Sequence, residues 1–414
     1  MKTRLVGNTR SVLVLFVLAL ATTRPGLAVA EDIDRLYVVD GLGETLTLID
    51  RADSSVTINV MTLGLVPNRI RYDGEHLLVV NSISDDLWVI DPETYDVTNT
   101  IEFDEGDNPW DVIVISDNLW AVSLLVAGEV AFVDPVGESV LTRVAVGKGP
   151  EGMLMVDGDL WVANTGFDFN TFLYDPGTIS VIDLETMSVT ATIPVGTNPQ
   201  ALVHAPDTTV HVVCTGNYYD QFGIVYVIDP STRSVVDSIP FGGSPGDIAI
   251  DCRGNGYLAA GGYVDDGEIY RYDAVTRTVL NDSSDPLNSG QGVGQVIPRL
   301  EGGVYAVCFG ADQIFEHNAT GSILLAWEVG DGPVSMALVT NRRPGDLNHD
   351  GILNVLDVVS IVNIAFRGGA LPDPPGSADV NADCRVDVMD VVMIVNVVFR
   401  GWSDTLCWGC TSLN

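Results

Sequence analysis

The chain has 414 residues, of which 46% are hydrophobic and 18% charged, a globular composition long enough for a large core. Acidic residues outnumber basic ones by 56 to 20, a formal charge of −36. Nucleic acids and anionic membranes are bound through basic faces that displace counterions, so neither is an expected partner.

The first thirty residues follow their own pattern. Lys2, Arg4 and Arg10 precede the apolar run Val12 to Ala21, and Ala28-Val29-Ala30 supplies a small-x-small cleavage site. That order predicts a secretory signal peptide over residues 1–30. The apolar run is shorter than the roughly 20 residues a spanning helix needs, and no later run reaches that length. Cleavage would remove four basic residues and no acid, taking the charge to −40 and leaving no membrane span. The protein is therefore expected to be secreted or held at the cell surface, where disulfides are possible. Of six cysteines, Cys214, Cys252 and Cys308 fall in the large domain, and Cys384, Cys407 and Cys410 near the end. Cys407-Trp-Gly-Cys410 has redox spacing but no strand–helix context, so a structural bond from Cys384 to Cys407 or Cys410 is expected.

From residue 31 to 342 the chain repeats. Residues 150–199 contain the unit in full: Pro150 to Val156, Leu160 to Asn164, Ile179 to Asp183 and Val189 to Pro199, with Gly, Asn, Asp and Pro between them. Leu36-Tyr-Val-Val begins a series of seven similar runs whose second residues stand at 37, 78, 120, 161, 211, 258 and 305. A period of about 40 to 50 residues with four short strands predicts a β-propeller blade, so seven blades are expected. The third run of each unit ends in a turn residue: Asp50, Asp91, Asp134, Asp183, Asp229, Asp273 and Asn318. Such side chains accept bonds from amides two residues on, which assigns them to turns and not to metal binding. Units are joined by a Gly-x-x-Pro-like crossing at Pro67, Pro109, Pro150 and Pro199, with Pro245 and Pro333 in related places. The chain opens on a second-strand sequence at Leu36 and closes its repeats on a first-strand sequence, Pro333 to Val339. Pairing the two would close the ring.

The units resemble the YVTN family of extracellular propellers. Leu160 to Asn164, Ile179 to Thr186 and Ile193 to Pro199 carry the resemblance, which covers residues 32 to about 340 and implies architecture and surface binding more than an activity.

Three neighbouring units depart from the short loops of the others. Residues 165–177, 215–223 and 261–267 are rich in aromatics, Asp and Asn. Phe167, Phe169, Tyr218, Tyr219 and Tyr263, flanked by Asp168, Asn217, Asp220 and Asp265, are the candidate ligand-binding residues. Aromatic faces beside polar acceptors suit a glycan, a peptide or a calcium-bridged ligand; equally, the rings would pack the loops against each other. His76, His204, His211 and His317 are scattered, and no Gly-x-Ser-x-Gly, His-Glu-x-x-His or phosphate loop is present. No catalytic residue is assigned. A binding protein is the expected class; the alternative is a polysaccharide-degrading hydrolase or lyase.

After Pro344 the pattern changes. Asp346, Asn348, Asp350, Asn354 and Asp357 place oxygen ligands at loop positions one, three, five, nine and twelve, and Ile352 adds its backbone carbonyl at seven. Thirty-three residues on, Asp379, Asn381, Asp383, Arg385, Asp387 and Asp390 repeat the spacing. Calcium is a hard cation that takes six to eight oxygens, so two calcium ions are expected, one per EF-hand-like loop. Each loop runs into an apolar or amphipathic helix, Val358 to Arg367 and Val391 to Arg400, and Gly368 to Gly376 separates the halves.

This tandem resembles a type I dockerin, a calcium-dependent module that binds cohesin domains of scaffold proteins. The resemblance covers residues 345–401 and implies a cohesin-like or surface scaffold as partner. Two features depart from the pattern: Cys384 replaces the turn glycine, and Val355-Leu356 and Val388-Met389 are apolar where polar pairs are usual. The expected organisation is a signal peptide (1–30), an all-β seven-bladed propeller (31–342), a small α-helical dockerin-like domain (343–401) and a cysteine-containing tail (402–414).

Overall fold

The computed structural model describes residues 33–261, 267–340, 343–348, 352–372, 375–381 and 385–400. The expected signal peptide and C-terminal tail lie outside these residues.

The described strands form seven antiparallel blades, each with four main strands running from a central channel to the rim, and one separate two-stranded sheet. The fourth blade, for example, consists of Pro150–Val156, Asp159–Asn164, Thr178–Asp183 and Ser188–Pro194. Innermost strands neighbour one another all the way round: Pro67–Tyr72, Pro109–Ser116, Pro150–Val156, Pro199–His204, Asp247–Ile250, Val293–Pro298 and Pro333–Thr340. The last of these pairs with the first strand of the chain, Asp34–Asp40, so both ends of the repeat share one blade and close the ring. An all-β ring closed in this way leaves no inner edge open to another chain.

Second strands carry the β-branched and aliphatic runs because they are buried on both faces. Leu77–Asn81, Val210–Cys214 and Val304–Cys308 are buried at every position. Outer strands such as Ser234–Pro240 meet solvent and are polar or alternating. The core lies between neighbouring blades, for example Leu78 and Val80 against Val112, Trp120 and Val122. Six of the seven turn residues accept from the amide two residues on, as Asp91 does from Glu93 N at 2.8 Å, Asp229 from Ser231 N at 2.9 Å and Asn318 from Thr320 N at 2.9 Å, while Asp183 accepts from Thr186 N, three residues on, at 2.7 Å.

The crossings have a shared physical basis. At the end of the second strand, Asp40, Asn81 and Asn164 turn a buried side chain toward the crossing glycine. A Cβ on Gly330, Gly64 or Gly147 would come within 2.3, 2.6 or 2.6 Å of them, so only glycine fits. The residue before the crossing Pro, or before Val293, is left-handed in six crossings (Val66, Asn108, Gly149, Asn198, Gly292, Gly332). Its carbonyl accepts from the loop after the second strand, as in Ser82 N to Val66 O at 3.0 Å and Thr215 N to Asn198 O at 2.9 Å.

Two buried guanidinium groups beside the closure are paired with carboxylates. Arg51 donates to Asp34 and Arg299 to Glu316, each at 2.7 Å, and both guanidinium groups lie against the Tyr305 ring at 5.3 and 5.9 Å. Of the histidines, His204 contacts Met155 O at 2.8 Å, whereas His211 is fully buried against the Tyr272 hydroxyl at 2.7 Å. Burial pushes His211 down to about 4. Cys214 and Cys308 are buried free thiols. Cys252 is disulfide-bonded, a pairing the sequence did not single out. Cys384, Cys407 and Cys410, for which a bond was expected, lie outside the described residues.

Beyond the propeller, α1 (Val355–Arg367) and α2 (Val388–Arg400) pack around Ile361, Val380 and Ile394. Neither they nor any other described helix is long and apolar enough to cross a membrane.

Candidate functional site

The two helices begin in the same way because their loops supply the same residues. Asn354 caps α1, accepting from Leu356 N at 2.8 Å, and Asp357 reaches back to Asn354 N at 2.9 Å. Asp357 also accepts from Leu347 N at 2.9 Å, tying the loop to the helix that follows. In the second loop Asp387 accepts from Met389 N at 2.7 Å, and Asp390 accepts from Asp387 N at 2.8 Å and Asn381 N at 3.3 Å. Position nine of each loop therefore caps a helix, a role the metal-ligand spacing did not reveal.

Asp346, Asp357, Asp379 and Asp390 are fully buried, at positions one and twelve of their loops. Burial pushes Asp390 up to about 6, against hydrogen bonds that lower it, and the charge on Asp379 adds to the rise. Enclosed carboxylates of this kind, with amide oxygens beside them, form a hard-oxygen donor set that fits calcium. Asp350 and Asp383, at position five, lie outside the described residues, among which no group of three or more His, Cys, Asp or Glu is arranged around a metal position. Asn348, Ile352, Asn381 and Arg385 sit in the same loops, each with a bonded or electrostatic neighbour.

The apolar residues that do not enter the small core have a regular placement. Val355, Leu356, Val359 and Phe366 on α1 are exposed, and so are Val388, Met389, Val392 and Phe399 at the same places on α2. Both phenylalanines are 61% exposed. Four matching pairs, each offset by 33 residues, give the module two equivalent apolar faces, one at the start and flank of each helix.

On the propeller, the long loop of the fourth blade folds on itself. Phe167–Asp168 pairs with Leu173–Tyr174, and Lys148 donates to Asp168 at 2.6 Å and Asp175 at 2.7 Å. Lys148 holds Asp168 down at about 2, helped by amides of Asn170 and Thr171. Phe167 packs against Phe169 at 4.9 Å and Tyr174 at 5.1 Å, and Tyr174 reaches Tyr218 of the next blade at 6.4 Å. In that blade Asn217 accepts from the amides of Tyr219, Asp220 and Gln221 and donates to Asp220 at 2.7 Å. The rings thus do pack loop against loop, and Asp168 and Asn217 are engaged within their own loops. Tyr219 is 84% exposed, and Tyr218 is exposed with a left-handed φ of 61°. A bulky residue held there is strained. Tyr263 and Asp265 lie outside the described residues.

Tyr218 also lines a cavity of about 290 Å³ at the mouth of the central channel. Its wall follows from a backbone irregularity. Immediately after the crossing, the innermost strand slips in register between Pro67 and Arg69, Pro109 and Asp111, Pro150 and Met153, Pro199 and Ala201, and Val293 and Gln295. Pro333 and Ser335 bracket a similar slip against the first strand. A β-bulge re-aims the extra residue. Asn68, Trp110, Glu151, Gln200, Gly294 and Val334 are those extra residues, and all six line the cavity; Gly246, which follows Pro245, completes the ring. Sequence reasoning missed this ring, although each member directly follows the crossing proline or, at Gly294, its Val293 substitute.

Charge in the channel is unevenly neutralised. Arg71 makes a two-point contact with buried Asp111, at 2.8 and 2.7 Å. Burial alone would raise Asp111, but Arg71 and Arg69 outweigh it and hold its carboxyl below the usual range. Arg69 comes no nearer to Asp111 than 3.8 Å, and its buried Nε has no hydrogen-bond partner. Burial, against the pull of Arg69, pushes Glu151 up to about 8. Asp247 is raised for the same reason while accepting from Val296 N at 3.0 Å.

Residues 344–398 match the family model of the dockerin type I domain. No curated protein matches the chain. Among solved structures, the propeller resembles a chain of Kuenenia stuttgartiensis Hydrazine Synthase, with a TM-score of 0.56 at 16% identity, over 68% of this chain and 92% of that one. A likeness at that identity concerns the fold alone. The chain is a seven-bladed β-propeller followed by a dockerin type I domain.

Proposed function

We propose that this is a secreted ligand-binding protein that a calcium-loaded dockerin fastens to an extracellular scaffold. Dockerin type I domains bind calcium and dock onto cohesin-bearing partners, and proteins that carry them are typically extracellular. The observation that carries the reading is the repeated apolar face, Val355, Leu356, Val359 and Phe366 matched by Val388, Met389, Val392 and Phe399. Apolar side chains left exposed at equivalent places on two helices fit a partner surface better than they fit water. One calcium would be held by Asp346, Asn348, Asp350, the Ile352 carbonyl, Asn354 and Asp357. A second would be held by Asp379, Asn381, Asp383, the Arg385 carbonyl, Asp387 and Asp390. Calcium supplies the charge that lets buried acids stay ionised, and with it the fixed loop geometry on which each helix begins.

The propeller is the part that presents or captures a ligand, a glycan or a peptide, on the side carrying Phe167, Asp168, Phe169, Asn217, Tyr218, Tyr219 and Asp220, with Tyr263 and Asp265. The test is capture of the full chain on an immobilised type I cohesin, with calcium and with chelator. Retention in calcium alone, lost when Leu356→Asp and Met389→Asp are combined, supports docking. Retention that ignores both the chelator and the double variant refutes it.

A further inference from the structure

Resting on the reading of the propeller as the ligand-binding part, the channel mouth carries a more specific assignment. Its ring is lopsided. Blades two to five contribute Asn68, Trp110, Glu151 and Gln200, whereas the opposite side is Gly246, Gly294 and Val334. One wall is polar and aromatic, and the other is cut back to leave room. A Cβ built on Gly294 meets no atom within 4 Å, and Gly246 leaves space for the Gln200 side chain, whose Oε1 would lie 2.7 Å from an added Cβ.

Two donors of the wall are unsatisfied. Arg69 Nε and Asn68 Nδ2 are buried donors without hydrogen-bond partners. The nearest carboxylate to Arg69, that of Asp111, is already held at two points by Arg71. A buried donor left unpaired is costly, so the site is complementary to an anionic or oxygen-rich molecule. Trp110 and Tyr218 offer ring faces, and Gln200 and Ser244 offer groups suited to hydroxyls. A volume of about 290 Å³ takes one sugar ring and part of a neighbour.

We propose that the channel mouth binds an acidic saccharide, a uronic acid residue whose carboxylate meets Arg69 and whose ring lies over the Gly246–Gly294 side. The remaining charged and titratable groups facing this position are Arg71, Asp111, Glu151, Asp247 and the Tyr218 phenol. Glu151, protonated up to about pH 8, donates toward the ligand instead of repelling it. The overall charge of −36 does not forbid this, because charges more than about 8 Å away are largely screened at physiological ionic strength.

The experiment is calorimetric titration of the calcium-loaded full chain with galacturonate and trigalacturonate, beside galactose and acetate. The acidic sugars should bind at least ~10-fold more tightly than either control, since only they satisfy both the guanidinium and the amide wall. Gly294→Leu fills the space without a backbone clash, and it should weaken binding at least ~10-fold while the melting temperature stays put. Arg69→Gln should remove the preference for the acid over galactose. Glu151→Gln should retain binding and abolish its decline above pH 8. Equal binding of galactose, equal binding of acetate, or tight uronate binding by Gly294→Leu would each overturn the assignment. Retention of Gly294→Leu on a glycan array, lost only on Tyr218→Ala with Tyr219→Ala, would overturn the channel site while leaving the ligand-binding reading intact.

Discussion

Leu36 and Leu338, at opposite ends of the repeat, are register partners across the pairing of the first propeller strand with the last. The closing strand is as much core as edge: Met336 is 1% exposed within a cluster that includes Leu36, Val38, Ile49, Tyr305 and Trp327. Its amide also donates to Gln295 of the seventh blade at 2.8 Å. Met336→Asp places an unpaired charge in that seam and should destabilise the propeller by about 3–5 kcal/mol. Leu141→Asp, on an exposed outer strand, should stay within about 0.5 kcal/mol. Calorimetric melting of the two variants checks this, and a Met336→Asp protein as stable as Leu141→Asp would mean the ring is not held by its closure.

Chelation should act on the C-terminal module and spare the ring. Four fully buried acids crowd two short loops, whereas buried acids of the propeller such as Asp34, Asp111 and Glu316 are paired with arginines. Removing calcium should therefore lose helical far-UV signal while the main melting transition of the strands persists. Asp357→Ala and Asp390→Ala should each remove one of two calcium-binding events in calorimetry, because each deletes a position-twelve ligand and the acceptor that organises its loop. A single event in the parent chain, or two in either variant, would contradict the assignment of one ion per loop.

Lys148 stands alone as a lysine outside the N-terminal segment, and it clasps both ends of the blade-four loop through Asp168 and Asp175. The pair is exposed, so Lys148→Ala should leave global stability almost unchanged. Its effect should be local. Limited proteolysis should nick residues 165–177 several-fold faster, and the cutting should also quicken in the parent at high salt. A large fall in melting temperature would show that the clasp supports the blade itself.

Much of this architecture was legible because the constraint that writes it is simple. A second strand buried on both faces must be apolar throughout, so Leu77 to Val80 and Val304 to Val307 recur with a visible period. The turn acids and the closing strand were legible for similar reasons. The channel ring was not. Its members (Asn68, Trp110, Glu151, Gln200, Gly246, Gly294 and Val334) share no chemistry, and what unites them is a position after the crossing, mostly bulged, that hydropathy does not register. The loops at 165–177 and 215–223 were visible as departures in length and composition. That Asp168 and Asn217 would be engaged by their own loops depended on backbone paths no spacing encodes.

Asp40 offers a test by comparison between blades. It occupies the place taken by Asn81 in the second blade and Asn164 in the fourth, fully buried beside the crossing glycine. Burial pushes its carboxyl up to about 6, although the hydroxyls of Thr47 and Thr45 donate to it. Its Oδ1 has no partner, whereas the amide of Asn164 donates to Thr178 and Ser180. A carboxyl raised in the folded state binds its proton more tightly there than in the unfolded chain. Its contribution is therefore fully present below about pH 4 and is lost as pH rises through about 6. Asp40→Asn removes this term. It should be nearly neutral at pH 4 and stabilise the propeller at pH 8 by on the order of 2 kcal/mol. Denaturant unfolding at the two pH values, with calcium saturating throughout, gives the comparison. Equal stability of parent and variant at pH 8 would mean that Asp40 is ionised in the fold at no cost, and that its burial is compensated by a donor other than the two threonines.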